Sequence, residues 1–390
     1  MKKICIIDSY SYKNFHETFN ASLLIECSTI SNELVYYSGL SALNSIRNLV
    51  NKQYLKNVVF KTIPVIEGSG KINILLHDVL SALFNCILLI KINNSIIIYN
   101  YNNLLSLSII NILNKLFRKN IVIVCHGEFE IFNLNIKHKY NIYGKINVFF
   151  LKKYFLNKNA VFSKYLIFFV LGDNIKLNLK KIFPDNIYKN IYSIEHSYID
   201  KSMKNINKYN ELPIKIGMIG YVRKAKNMSD VINLAKNLAV EISEKKIDFS
   251  ITDAAAINCE DLRLAGINVP EGKKKLSMEE YYNKINNLDY VLFFYSKNMY
   301  QFTASGPFFD ALLLEKPIIA LKNSYFDYMF KKYGEFGILC DSIDEMTRLI
   351  KKIIEMDEIK KYDFKSIKMK LHPENISLQL LKIFEVNNFI

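Results

Sequence analysis

QFTASGPFFDALLLEKPIIAL, residues 301–321, is the stretch on which the fold turns. A polar loop ends at Ser305-Gly306-Pro307, an apolar helical run follows to about Glu315, and Pro317 opens the short aliphatic strand Ile318–Leu321. Ser305 or Gly306 can cap the helix, with Pro307 at its first position. A helix start presents unpaired N–H groups and the positive end of the helix dipole, which suit an anion. Asp310 lies about one turn inside. Amides for a phosphate and a carboxylate for ribose hydroxyls point to a nucleotide; an ordinary capped helix between two strands fits the same residues.

Working outward, Tyr290–Tyr295 reads as the strand feeding this loop, Leu276–Leu288 as a helix with a Ser277/Glu280 capping box, and Asp248–Thr252 as a strand. Met228–Lys245 reads as one helix capped by Ser229, and Ile214–Ile219 as the strand that starts this half. Phe336–Cys340 and Ile343–Glu355 complete it. Upstream, short aliphatic runs alternate with helices: Lys3–Asp8, Val58–Ile63, Ser95–Tyr99, Ile121–Cys125 and Tyr165–Leu171 as strands, with helices over Ser41–Leu49, 72–91 and Leu104–Phe117. Strands that are apolar throughout, separated by helices, mark parallel sheets covered on both faces. The chain is therefore α/β, with a domain over 1–200, a second over 213–372, a polar boundary at Lys201–Leu212, and a C-terminal helix over 373–390 that packs back toward the first domain.

The chain has 390 residues, half of them hydrophobic, and a formal net charge of +15. The lysines are dispersed, with no nucleic-acid-binding signature, so a nucleic-acid partner is not expected. A phosphate-rich ligand or an anionic membrane face fits the charge. Six cysteines are scattered without metal-type spacing, which predicts reduced thiols, a cytoplasmic location and no metal site. The apolar run 72–92 carries Asn73, His77, Asp78, Asn85 and Lys91, and reads as a buried helix rather than a membrane span. Residues 137–164 interleave Lys with Phe and Tyr; an interfacial, membrane-touching helix and a helix with an aromatic core face both fit.

Candidate site residues fall at strand ends, where open α/β sheets bind ligands. Residues 9–20 read as a polar loop after the first strand, carrying His16, Glu17 and Asn20. His126-Gly127 follows the strand Ile121–Cys125. Gly217 and Gly220 open the second domain, followed by Arg223 and Lys226, two cations able to grip a diphosphate.

Gly220 with Lys226-Asn227, then Ser305-Gly306, Asp310-Ala311-Leu312 and Lys316-Pro317-Ile318-Ile319, resembles the C-terminal domain of group 1 (family-4-like) glycosyltransferases. Those are GT-B enzymes with two Rossmann-like domains whose parallel sheets face a central cleft. His126-Gly127 is similar to that family's N-domain counterpart. This chain departs at Phe302, where the family often has Glu, and at Glu315, where it usually has Gly. The resemblance implies a metal-independent hexosyltransferase that uses a nucleotide-diphosphate sugar as donor and no further cofactor. Its acceptor would be a glycan or polyprenyl-linked molecule of bacterial-type surface polysaccharide synthesis. It implies that Arg223 and Lys226 neutralise the diphosphate and Ser305-Gly306 meet the phosphate. It implies further that Asp310 holds the ribose and His126 lies against the sugar. Gly127, Gly220, Tyr300 and Thr303 complete the expected donor set, with His16, Glu17 and Asn20 on the acceptor side. A sugar-nucleotide epimerase, or a non-catalytic nucleotide-binding subunit, could use the same fold.

Overall fold

The computed structural model describes residues 3–68, 70–134, 141–197, 199, 212–221, 227–253, 259–270, 276–355 and 360–390. The chain divides into two compact units. Met1–Ile199, Gln301–Ala304 and Lys370–Ile390 form the first; Asp200–Tyr300 and Ser305–Met369 form the second.

In the first unit the elements run β1 (Lys3–Asp8), α1 (Glu17–Ile30), β2 (Leu34–Ser38), α2 (Leu40–Leu49), β3 (Val58–Thr62), α3 (Lys71–Lys91), β4 (Ser95–Tyr99), α4 (Leu104–Phe117) and β5 (Ile121–Cys125). Then come α5 (Ile142–Phe155), β6 (Leu166–Leu171), α6 (Asp173–Leu179), α7 (Asp185–Tyr188) and β7 (Ile191–Ile194). The strands form one sheet in the order β3-β2-β1-β4-β5-β6-β7, with every neighbouring pair parallel. The order reverses direction between β1 and β4, so their carboxyl ends flank the crevice where such sheets take ligands. One core packs α3, α4, α5 and α6 on one face through Leu88, Leu107, Phe155 and Leu179. The other packs α1 and α2 on the opposite face through Leu24, Cys27 and Leu43.

Two expectations change here. Glu17 and Asn20 do not lie in a loop: α1 begins at Glu17, with His16 in the left-handed region at φ 53 as its cap. The helix escapes a periodicity reading because it is buried on nearly every side and shows no polar stripe. The helix 72–91 is not simply buried either. Its inward face carries Ser81 and Asn85, bonded to Ser9 at 2.6 and 2.8 Å. Its outward face leaves Leu75, Val79 and Leu83 about half exposed. Residues 135–140, part of the 137–164 stretch, lie outside the described residues.

The second unit runs β8 (Ile214–Tyr221), α8 (Met228–Asn237), α9 (Ala239–Ser243), β9 (Ile247–Asp253), α10 (Glu260–Leu264), α11 (Met278–Asn286), β10 (Tyr290–Phe293) and α12 (Gly306–Leu313). It continues with β11 (Ile318–Leu321), α13 (Ser324–Tyr333), β12 (Gly337–Cys340), α14 (Ile343–Ile354) and α15 (Phe364–Lys370). Its parallel sheet has the order β12-β11-β10-β8-β9, reversing between β8 and β10. The single helix expected over Met228–Lys245 is two, broken at Leu238. Its cap is Asn227 at φ 39 rather than Ser229. The capping box at Ser277 forms, Glu280 N–H donating to Ser277 Oγ at 3.2 Å and Ser277 N–H to Glu280 Oε2 at 2.7 Å. Such a cap contributes about 1 kcal/mol. α12 ends at Leu313, two residues before Glu315, which sits at φ 52 in the left-handed conformation that glycine favours.

The last helix, α16 (Pro373–Val386), belongs to the first unit. It lies against α1, with Leu380, Phe384 and Phe389 fully buried in the core on that face.

Candidate active site

In the first unit the reversal of strand order brings three strand ends together. Asp8 closes β1, Asn100 follows β4 and His126 follows β5. Asp8 is buried and accepts hydrogen bonds from Ser11 N–H (3.0 Å), Asn20 Nδ2 (2.9 Å) and the Tyr36 hydroxyl (3.3 Å). Burial pushes its pKa up, against the pull of those donors. Because Asp8 takes the Asn20 amide nitrogen, the Asn20 carbonyl oxygen is turned to accept from Asn100 Nδ2 at 2.6 Å. The Asn100 backbone carbonyl in turn holds His126 Nε2 at 2.7 Å. A carbonyl can only accept, so Nε2 carries the proton. Burial lowers the His126 pKa, keeping the ring neutral and leaving Nδ1 as a lone-pair acceptor.

Phe19 of α1 sets its ring edge against both His126 and His196, with centroids 4.6 and 5.3 Å apart. The His16 ring lies 4.8 Å from that of His126. Burial depresses His196 to about 4. Desolvation lowers the His16 pKa first, and the neighbouring His126 and His196 imidazoles lower it further, to about 3. Three imidazoles this close disfavour one another's charged forms, and the cluster is neutral at pH 7.

The turn after β5 is pinned. Glu128 accepts from Asn102 Nδ2 at 2.9 Å and from Gly127 N–H at 3.1 Å. Thr303 Oγ1 donates to the His126 carbonyl at 3.2 Å, and Phe302 N–H to Glu130 at 2.8 Å. A β-carbon on Gly127 would stand 2.5 Å from Thr303 Oγ1, so Gly127 is required by close approach. The structure thus brings together His126, Gly127, Thr303, His16 and Asn20 of the expected residues. Glu17 lies in the first turn of α1.

In the second unit Ser305 caps α12, its Oγ accepting from Phe308 N–H at 3.4 Å and meeting the Tyr295 hydroxyl at 2.9 Å. Its own N–H donates to the Tyr325 hydroxyl at 3.3 Å. Gly306 is exposed, with nothing within 4 Å of where a β-carbon would stand. Pro307, second in the helix, brings no N–H. Tyr300, at φ 60, lays its ring 4.3 Å from that of Tyr295. Asp310 accepts from the Tyr281 hydroxyl at 3.0 Å and the Tyr282 hydroxyl at 3.4 Å, which fix its carboxylate. Tyr281 also bonds the Gly220 backbone; burial, with Asp310 beside it, holds its pKa well above the ordinary value, so it stays a donor. Gly220 sits at φ 74 where β8 bulges, a conformation that needs glycine. Gly220, Asp310, Ser305, Gly306 and Tyr300 therefore gather around the reversal between β8 and β10. Arg223 and Lys226 lie outside the described residues.

Asp8, Asn100, His196, Tyr281, Tyr282 and Tyr325 escape a sequence reading. Asp8 and Asn100 share one signal, a polar residue at the end of an apolar strand; His196 comes after Glu195 beyond β7, IYSI, where that signal is blurred. The tyrosines give none, since their partners are remote in sequence.

No protein-family model matches the sequence, and no curated protein does. Solved structures do. The lipopolysaccharide outer core galactosyltransferase WaaB superposes with a TM-score of 0.59 at 14% identity, over 98% of this chain and 99% of that one. TarM gives 0.59 at 13%, over 98% and 99%; a TarM variant solved with fondaparinux, α-GlcNAc-glycerol and UDP gives 0.54 at 13%, over 98% and 100%. Sucrose-phosphate synthase from Thermosynechococcus elongatus gives 0.63 at 11%, over 99% and 98%. Likeness over whole chains at such identity identifies the fold: two Rossmann-like units of the GT-B class.

Proposed function

We propose that this protein is a hexosyltransferase moving a sugar from a nucleotide-diphosphate donor to a glycan or polyprenyl-linked acceptor in surface polysaccharide synthesis. The observation that carries it is the second unit's switch point, where a capped helix start open at Gly306 stands one turn from the tethered Asp310. That pair suits a phosphate and a ribose. The TarM variant solved with UDP supports the donor class.

Roles follow from chemistry. Glycosyl transfer leaves negative charge on the departing diphosphate. Arg223 and Lys226, with the amide at Gly306, neutralise that charge without a metal or further cofactor. Gly220 and Tyr300 shape the nucleotide pocket and Tyr281 orients Asp310. In the first unit, neutral His126 offers Nδ1 to a hydroxyl of the transferred sugar, Gly127 and Thr303 hold its loop, and His16, Glu17 and Asn20 serve the acceptor side. In this reading the enzyme works in the cytoplasm, where six free cysteines would remain reduced.

A thermal-shift panel of nucleotide sugars tests this reading. A donor at about 100 times its dissociation constant stabilises by about 2.7 kcal/mol. A panel without any shift, together with no turnover on lipid-linked acceptors, removes it.

A further inference from the structure

Helices α3, α4 and α5 lie on one face of the first unit's sheet, held by the shared core of Leu88, Leu107 and Phe155. Their outward faces are the unusual feature. Leu75, Val79 and Leu83 of α3 recur at helical spacing and are 49, 51 and 54% exposed. On α4, Ile112 and Leu116 are 61 and 73% exposed, and on α5 Phe149 is 62% exposed. A soluble surface does not ordinarily line up apolar side chains on neighbouring helices. Among the described residues α3 is the one helix long and apolar enough to cross a membrane. Its other side is committed, however: Ser81 and Asn85 bond Ser9, and Tyr99 donates to the Asn85 carbonyl at 2.9 Å. It therefore lies along the sheet and cannot span.

Charge identifies what covers this face. Across the three helices the only carboxylate is Asp78, and it is buried. The exposed cations Lys91, Lys115, Lys152 and Lys153 have no acidic counterpart on these helices, and Arg118 stands just beyond α4. A second copy of the chain would set cation against cation. An anionic bilayer satisfies both halves of the surface, apolar stripes in the acyl boundary and cations at the headgroups.

We propose that the α3–α4–α5 face docks the first unit onto an anionic lipid bilayer, lying in its surface. This assigns membrane contact to a face centred on α3 and α4, with α5 only its edge. It does not rest on the glycosyl-transfer reading, because the test reads binding alone.

The test is co-sedimentation of the full chain with phosphatidylglycerol/phosphatidylcholine vesicles and with phosphatidylcholine vesicles. Wild type should pellet with the anionic vesicles at low salt, and a fraction should stay bound at high salt. Val79→Glu/Leu83→Glu/Ile112→Glu changes only exposed positions; with circular dichroism unchanged, it should lose the salt-resistant fraction. Lys115→Gln/Lys152→Gln/Lys153→Gln should weaken low-salt binding at least about tenfold, since each basic residue near such a surface is worth about 1 kcal/mol. Wild type remaining in the supernatant at low salt overturns the proposal. So does a wild-type dimer by light scattering that Leu83→Glu dissociates, which would give the face to a second copy. Equal binding by the apolar variant would move the docking surface elsewhere.

Discussion

Glu26, in the middle of α1, is 1% exposed, and its Oε2 has no hydrogen-bond partner. The Ser197 hydroxyl approaches the carboxyl and favours its ionised form, but not enough to offset burial, which raises the pKa from 4.5 to about 8. The folded state therefore keeps a proton that the unfolded chain gives up above pH 4.5. A raised carboxyl pKa contributes its full stability below the unfolded value and loses it as pH climbs toward the folded one. At pH 7, about 2.5 pH units above 4.5, the cost is about 3 kcal/mol at 1.36 kcal/mol per unit. Glu26→Gln keeps the shape and removes the titration. Allowing about 1 kcal/mol for an amide whose second donor lacks a partner, the variant should be about 2 kcal/mol more stable at pH 7. With that amide cost included, its gain should fade to nothing at about pH 5 and become a small loss by pH 4.5. Urea midpoints of both proteins from pH 4.5 to 8 read this directly. A difference independent of pH, or a variant less stable at pH 8, would refute the account of Glu26 as a buried, protonated acid.

Three further outcomes are expected. Arg223→Ala and Lys226→Ala should each reduce turnover by about 2–4 kcal/mol of transition-state stabilisation with unchanged circular dichroism; unaltered donor turnover would remove the phosphate assignment. His126→Ala should lower kcat far more than nucleotide affinity measured by calorimetry. Because burial holds the His126 pKa below the ordinary value, wild-type turnover should show no acid limb between pH 7.5 and 6 from this ring; such a limb, absent in the variant, would contradict the neutral form. Phe384→Ala should cost about 3–5 kcal/mol in chemical denaturation, since Phe384 is fully buried against α1; a cost under 1 kcal/mol would show that α16 is dispensable.

The parallel strands were the legible part of the sequence. β5 is apolar throughout, and β1 and β4 are apolar between Lys3 and Asp8 and after Ser95, because both faces of the sheet are covered, and their limits can be read directly. β2, LVYYS, and β7, IYSI, carry tyrosines and serines that blur the same signal. Position along the chain also predicts His126, Gly220 and Asp310 at strand or helix ends. What periodicity cannot supply is the direction a helix faces. Residues 72–91 are apolar enough to suggest burial, yet much of that surface points outward, and α1, buried almost all round, looks like a loop where its first turn is polar. The hydrogen bonds from Asp8 through Asn20 to His126 join residues far apart in sequence, so only the fold reveals them.

The placement of α16 has a consequence for synthesis on the ribosome. The core around α1 needs Leu380, Phe384 and Phe389, which are translated only after the whole of the second unit. Until they emerge, β1, α1 and β2 present an open apolar groove, while the second unit, continuous apart from one short segment, can finish folding first. The first unit to begin is thus the last to close, and its waiting surface is the stretch most in need of chaperone protection.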